Sequence, residues 1–269
     1  MNSVRSHLIL ILLVLATATN LHSQQRPLLT EDPRLLATGI VASELGMEYL
    51  NRLKIPYSGL GGNELSILVN GLHFGLGDRS EFQLTGVAHT VLWVKENGSG
   101  RRNDWGDFAM STKIKLVDEK GRRPIVSFRP TVVLPNSSAT KDIGADGTNV
   151  FGSLLFGKTV GRAFVHGSIG MGILDDTVRP AAQQDVLTYG LAVNFPVGSR
   201  TTIAWEWNGL SNPQSNPTPG GEDRGQIRAG FRVRAGGMRW DIGTTAGLTR
   251  LDAKWGLIGG MTREFRLWK

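Results

Sequence analysis

Residues 224–235 read RGQIRAGFRVRA. Ile227, Ala229, Phe231 and Val233 take one set of alternate positions, and Arg228, Gly230, Arg232 and Arg234 take the other. Side chains on an extended strand point alternately to opposite faces, whereas a helix would spread these arginines around its circumference. The stretch is therefore an amphipathic strand, greasy on one side and cationic on the other. Gly236-Gly237 follows, and then a second alternating stretch near Met238–Leu248 that carries Asp241. Two such runs joined by a glycine pair predict a tight hairpin.

Working outward, the same period of two recurs. In Gly106–Val117, Phe108, Met110, Ile114 and Leu116 share a face, and Asp107, Ser111, Lys113 and Lys115 share the other. In Ser43–Leu50, Leu45, Met47 and Tyr49 oppose Glu44 and Glu48. Twelve segments are predicted as strands: Gly39–Asn51, Glu64–Phe74, Glu81–Val94, Gly106–Val117, Arg123–Leu134, Thr148–Gly157, Ala163–Leu174, Val186–Phe195, Thr201–Gly209, Gly225–Ala235, Met238–Leu248 and Lys254–Leu267. Each is about as long as the ~9–11 residues that a tilted membrane strand needs. Gly75–Ser80, Asp118–Arg122, Lys158–Arg162, Pro196–Arg200 and Gly236–Gly237 are short connections. They alternate with the longer polar links Arg52–Asn63, Lys95–Trp105, Pro135–Gly147, Asp175–Asp185 and Leu210–Arg224; a sixth, Thr249–Ala253, is brief. Short turns on one side and long loops on the other are the rhythm of an outer-membrane barrel.

The chain start fits export. Arg5 precedes an apolar run from Leu8 to Ala18, and small and polar residues follow through Ser23. This is the layout of a cleaved signal peptide, residues 1–23, ahead of a barrel over residues 24–269; the alternative is an N-terminal anchor. Thirty-five glycines in 269 residues disfavour a helical protein, because an interior glycine costs up to about 1 kcal/mol in a helix. Cysteine is absent, and a closed barrel needs none. The net charge of +7, lowered by one when Arg5 is cleaved off, is spread singly along the strands with no basic block. That pattern argues against a nucleic-acid partner. Trp93, Trp105, Trp205, Trp207, Trp240, Trp255 and Trp268 fall mostly near strand ends, where interfacial girdles sit.

A cation on the lipid face near the midplane costs about 2–4 kcal/mol. The charges on the polar faces therefore belong inside. Glu44, Glu48, Glu81, Lys113, Lys115, Arg129, Glu206, Arg228, Arg232, Arg234 and Asp241 are the predicted lumen-lining residues. Two readings of them stand side by side. Either the cations line a passage biased toward anions or polar groups, or they pair with the acids and plug the barrel. Catalytic chemistry finds little footing. His73, His89 and His166 lie on separate strands and, with no cysteine, offer no metal-ligand spacing. No cofactor or metal is expected, although a Ser, a His and an acid assembling across the wall, as in a membrane lipid hydrolase, is the enzymatic alternative.

Residues 106–135, GDFAMSTKIKLVDEKGRRPIVSFRPTVVLP, combine a Gly-Asp start, a strand with inward lysines, a DEKGRRP turn and an apolar strand ending in Leu-Pro. With Thr30-Glu31-Asp32 before the first strand, GLGDRSEFQL at Gly75–Leu84 and WGLIGGMTREF at Trp255–Phe265, this resembles the family of putative MetA-pathway phenol-degradation proteins, transporter-like barrels of the outer membrane. The resemblance implies passage of small, aromatic or hydrophobic molecules, and no enzymatic activity. One departure is the chain end: such barrels finish on an aromatic read by the barrel-assembly machinery, whereas here Trp268 is followed by Lys269. The expectation is an all-β, up-and-down transmembrane barrel whose partners are outer-membrane lipid, that machinery and a small solute. A soluble β-sandwich is the competing fold.

Overall fold

Alternating apolar and polar residues leave a strand with one face for lipid and one for the interior, so the wall must close on itself to hide its backbone edges. The computed structural model, which describes residues 26–56, 58–95, 100–144, 146–176 and 182–268, shows that closure. The expected leader, residues 1–23, lies outside the described residues. The strands are β1 (Ile40–Lys54), β2 (Gly61–Gly77), β3 (Ser80–Val94), β4 (Gly100–Asp104), β5 (Phe108–Val117), β6 (Ile125–Leu134), β7 (Asn149–Val160), β8 (Ala163–Asp175), β9 (Gln183–Val197), β10 (Thr201–Ser211), β11 (Arg224–Ala235), β12 (Met238–Gly247) and β13 (Trp255–Arg266). All pairings are antiparallel, and β1 meets β13 from Ile40 opposite Arg266 to Asn51 opposite Trp255, which closes the ring. The helical content among the described residues is one short 3-10 turn, Ala139–Lys141.

The expected twelve staves are present, with one correction. Lys95–Trp105, read as a loop, contains β4. β4 pairs with the outer part of β3 and β5 with the lower part, so the two form one interrupted stave. The sequence of β4, Gly-Arg-Arg-Asn-Asp, has no apolar set to betray a strand. It extends because β3 rises past the start of β5 and leaves backbone groups to be paired.

Burial is inverted relative to a soluble protein. Ile242 and Met171 are 66% and 67% exposed, whereas Lys113, Glu81 and Glu206 are 0% exposed. Phe108 and Phe231 face outward while Lys113 and Arg232 are buried. All seven tryptophans are on the exposed surface. Trp93, Trp207 and Trp255 lie toward the long-loop rim and Trp240 and Trp268 toward the short-turn rim. Buried apolar clusters are small. Ile55, Leu92 and Val94, with Leu60 and Ile143 against them, gather the outer loops over the end of β3.

Period two does not run unbroken through β2. Leu68 sits at φ 51° and is skipped in the pairing of β1 with β2, where Gly46 faces Val69 and Met47 faces Ile67. This bulge moves the buried set from Gly62 and Ser66 to Gly71, His73 and Gly75. At the short-turn rim, Gly236 and Gly237 both have positive φ between Ala235 and Met238, as a two-residue hairpin turn requires. The brief last outer link is held by Asp252, whose Oδ2 accepts from Thr249 N and Oγ1 and from Gly225 N.

Candidate functional site

The interior is a site because inward alternation brings ionisable groups from every part of the ring into one volume. The structure places the eleven sequence-predicted residues on the inner face but does not treat them alike. Glu44, Glu81, Lys113, Glu206, Arg228, Arg232 and Asp241 are buried, and Glu48 and Arg129 are half-buried. Lys115 sits at the short-turn rim, bonded to Asp118 at 2.7 Å, and Arg234 is exposed there. Arg228 pairs with Glu48 at 2.7 Å and stands 3.9 Å from Glu206. Glu44 receives Arg239 Nη2 at 3.1 Å. Cations and acids are thus matched across the lumen rather than stacked as a free basic stripe.

The lumen also holds a length of chain. Residues 26–38 precede β1, and 26–36 of them run inside the barrel, with Pro27, Leu28 and Asp32 among the most buried residues. An irregular segment has unpaired backbone groups that cannot be left buried without partners. The inward charges supply them. The Glu206 carboxylate accepts Leu29 N and Thr30 N, each at 2.7 Å. Glu81 Oε2 accepts Leu36 N at 2.7 Å. Lys113 Nζ donates to Asp32 O at 3.0 Å and to Glu31 Oε1 at 2.8 Å. Ser127 Oγ donates to Pro33 O at 2.6 Å, and Arg232 Nε donates to Arg26 O. Arg26 reaches the far wall, donating to Gly259 O at 2.9 Å and lying 3.4 Å from Asp241. Arg34 lies over the Phe164 ring at 3.7 Å, a cation–π contact.

A polar chain ties one flank together. Arg232 Nη1 donates to Asn194 Oδ1 at 2.7 Å, and Asn194 Nδ2 lies 3.1 Å from His166 Nε2. His166 Nδ1 is 3.3 Å from Glu31 O. If the amide donates to Nε2, the proton sits on Nδ1 and is given to the carbonyl, so each atom has a partner. His73 stands between Glu81 at 3.5 Å and Glu44 at 3.8 Å. Both histidines are thus engaged by groups that brace the lumen.

Sequence reasoning missed Arg26, Glu31, Asp32, Gln83, Asn194 and Arg239. Arg239 had a signal, since it alternates in phase with Asp241. Glu31 and Asp32 appeared only as a resemblance motif, and nothing in their local pattern shows that they lie inside the wall.

The segment does not fill the lumen. A cavity of about 320 Å³ remains between residues 29–31 and the wall from β5 to β10. Thr131, Ser153, Ser168 and Thr188 line it from four successive staves, and Asn208 lines it from a fifth. Arg129 enters it with Nε donating to Gln83 Oε1 at 2.9 Å.

With the geometry in view, the fold is similar to several solved structures. An outer-membrane channel from Pseudomonas putida F1 superposes with a TM-score of 0.66 at 14% identity, over 87% of this chain and 98% of that one. The translocator domain of the autotransporter NalP from Neisseria meningitidis gives 0.53 at 13% identity, over 86% and 89%. The NanC porin gives 0.52 at 9% identity, over 82% and 98%. No family model matches the sequence, and no curated protein matches it. Closed ring, lipid-facing apolar wall and these neighbours together make the chain a β-barrel of the bacterial outer membrane.

Proposed function

We propose that the chain is a narrow channel that passes small molecules across the outer membrane. The observation that carries this reading is the polar cavity left beside the lumen segment. Side chains alone fill barrels near eight strands, and twelve staves enclose more space than that. Two structural neighbours above a TM-score of 0.5 are a channel and a porin by name, which supports the reading. The resemblance to the phenol-degradation family adds a finer one: the solute is small and aromatic or hydrophobic. No enzymatic step is part of the proposal.

A second reading, a barrel whose plug keeps it shut, is favoured by residues 26–36 and their anchors across the ring. Planar-bilayer recording separates the two. Discrete conductance steps from the intact protein support the channel, and their absence at all voltages supports the shut barrel. Liposome swelling with neutral, anionic and aromatic solutes of equal size then tests the solute. Faster entry of the aromatic member is the expected result, and equal rates would discard that preference.

A further inference from the structure

We propose that the cavity above residues 29–31 is a binding site for a small, uncharged, polyhydroxylated molecule of about monosaccharide size. The proposal rests on the channel reading only for the route by which the ligand arrives; the binding itself is independent of it.

Size comes first. At about 320 Å³ the cavity is at the small end of the range of ligand pockets, roughly 300–1,000 Å³. Chemistry comes second. The hydroxyls of Thr131, Ser153, Ser168 and Thr188 each donate and accept, and they reach the cavity from four neighbouring strands. Two inward glycines hold them close. A Cβ at Gly170 would collide with Ser153 Oγ and Thr188 Oγ1, and one at Gly190 would come within 2.5 Å of Thr30 Oγ1 and 3.1 Å of Ser168 Oγ. Third, among the described residues Thr30 Oγ1, Glu31 Oε2 and Asn208 Nδ2 are buried without a hydrogen-bond partner, and all three residues border the cavity. Thr30 and Glu31 are 3% and 4% exposed. Buried polar atoms without partners are costly, and a ligand rich in hydroxyls satisfies donors and acceptors alike.

Charge decides the class. The cavity's ionic groups are Arg129 and Glu31, one of each sign, with Arg129 Nη2 3.9 Å from Glu31 Oε2. Glu31 is also bonded to Lys113 and Gln83, and Arg129 to Gln83. An anion brought here would meet the Glu31 carboxylate, and a cation would meet the guanidinium. A neutral polyol meets neither penalty. Phe151 and Leu155, also on the lining, offer the apolar surface against which the C–H face of a ring packs.

The test uses the full-length folded barrel in detergent, titrated calorimetrically with methyl glucoside, glucosamine and gluconate, three probes of similar size and different charge. Saturable binding of methyl glucoside, at least tenfold tighter than either charged probe, is expected. Asn208→Leu and Thr188→Val should each weaken it tenfold or more while the barrel keeps its heat-modifiable gel mobility. Ser153→Ala serves as a milder variant should either fail to fold. No saturation by the neutral probe, equal or better binding of a charged one, or affinity unchanged in folded variants would overturn the site. Liposome swelling with the same probes keeps the two claims apart. Binding with no swelling by any solute, the aromatic one of the channel test included, overturns transport and leaves the site, whereas swelling without binding leaves the channel and overturns the site.

Discussion

At the scale of single residues, the inner wall shows why a buried charge is conditional. Glu206 is fully buried, and its two oxygens take two backbone N–H groups of the lumen segment. Glu206→Ala leaves both donors unpaired, at about 1–3 kcal/mol each. The segment should then detach from β10, and a cysteine placed at Leu28, which is buried in the parent, should react with a water-soluble maleimide at least tenfold faster than in the parent. An unchanged rate would show that Glu206 is not the anchor. Lys113 is the opposite case. Its ammonium lies 2.8 Å from Glu31 and 3.3 Å from Glu81, all three shielded from solvent. Lys113→Met strands two carboxylates, and removing one partner of a buried ion pair typically costs about 3–5 kcal/mol. The urea midpoint of the gel-mobility transition should fall clearly, more than for Lys115→Met, whose partner Asp118 is half-exposed at the rim.

At the scale of elements, hairpins carry their own instructions. Gly236 and Gly237 at φ 62° and 71° occupy backbone that costs a residue with a Cβ roughly 1–2 kcal/mol. Gly236→Val should slow assembly of the β11–β12 hairpin, read as a lower yield of folded barrel after dilution from urea. The turn after β5 is tied to its neighbour instead of relying on shape. Glu119 accepts from Lys158 Nζ and Thr159 N, each at 2.9 Å, and from Thr159 Oγ1. Partial burial works against its ionisation, but Lys158 and Thr159 outweigh that and hold its carboxyl below the usual range. A lowered value means that the stabilisation is complete above the unfolded value of 4.5 and is lost as pH falls through the folded one. Glu119→Gln should therefore weaken the barrel slightly at pH 7, and urea midpoints of variant and parent should converge as pH is taken well below 4.5. A gap that persists at low pH would assign the effect to packing. The bulge at Leu68 belongs to this scale too. It was not legible in advance, because the residues around it, Ile67 to Val69, are apolar on either phase.

At the scale of the whole molecule, wall and segment form one network. Residues that would form a selectivity stripe in an empty barrel hold chain instead: Arg232 and Arg228 both reach carbonyls of residues 26 and 27. Changing Arg228, Arg232 and Arg234 to Ser should thus enlarge conductance more than it alters the anion-to-cation ratio, and Arg234→Ser alone, at the exposed rim, should shift the ratio with little change in conductance. Removal of residues 26–36 should raise single-channel conductance severalfold over the intact chain. Equal conductance would mean that ions pass elsewhere than through the volume this segment occupies. The wall was written in the amino acids themselves: period two, a two-sided charge pattern and alternating turn lengths are local properties, and a strand with one greasy face has few ways to satisfy its edges in lipid. What fills the wall was not. Arg26 meets Arg232, and Thr30 meets Glu206, across sequence separations of 206 and 176 residues. Such partners exist only after the ring has closed and brought distant strands around one axis, so no local pattern in residues 26–36 distinguishes a chain that docks inside from one that hangs free.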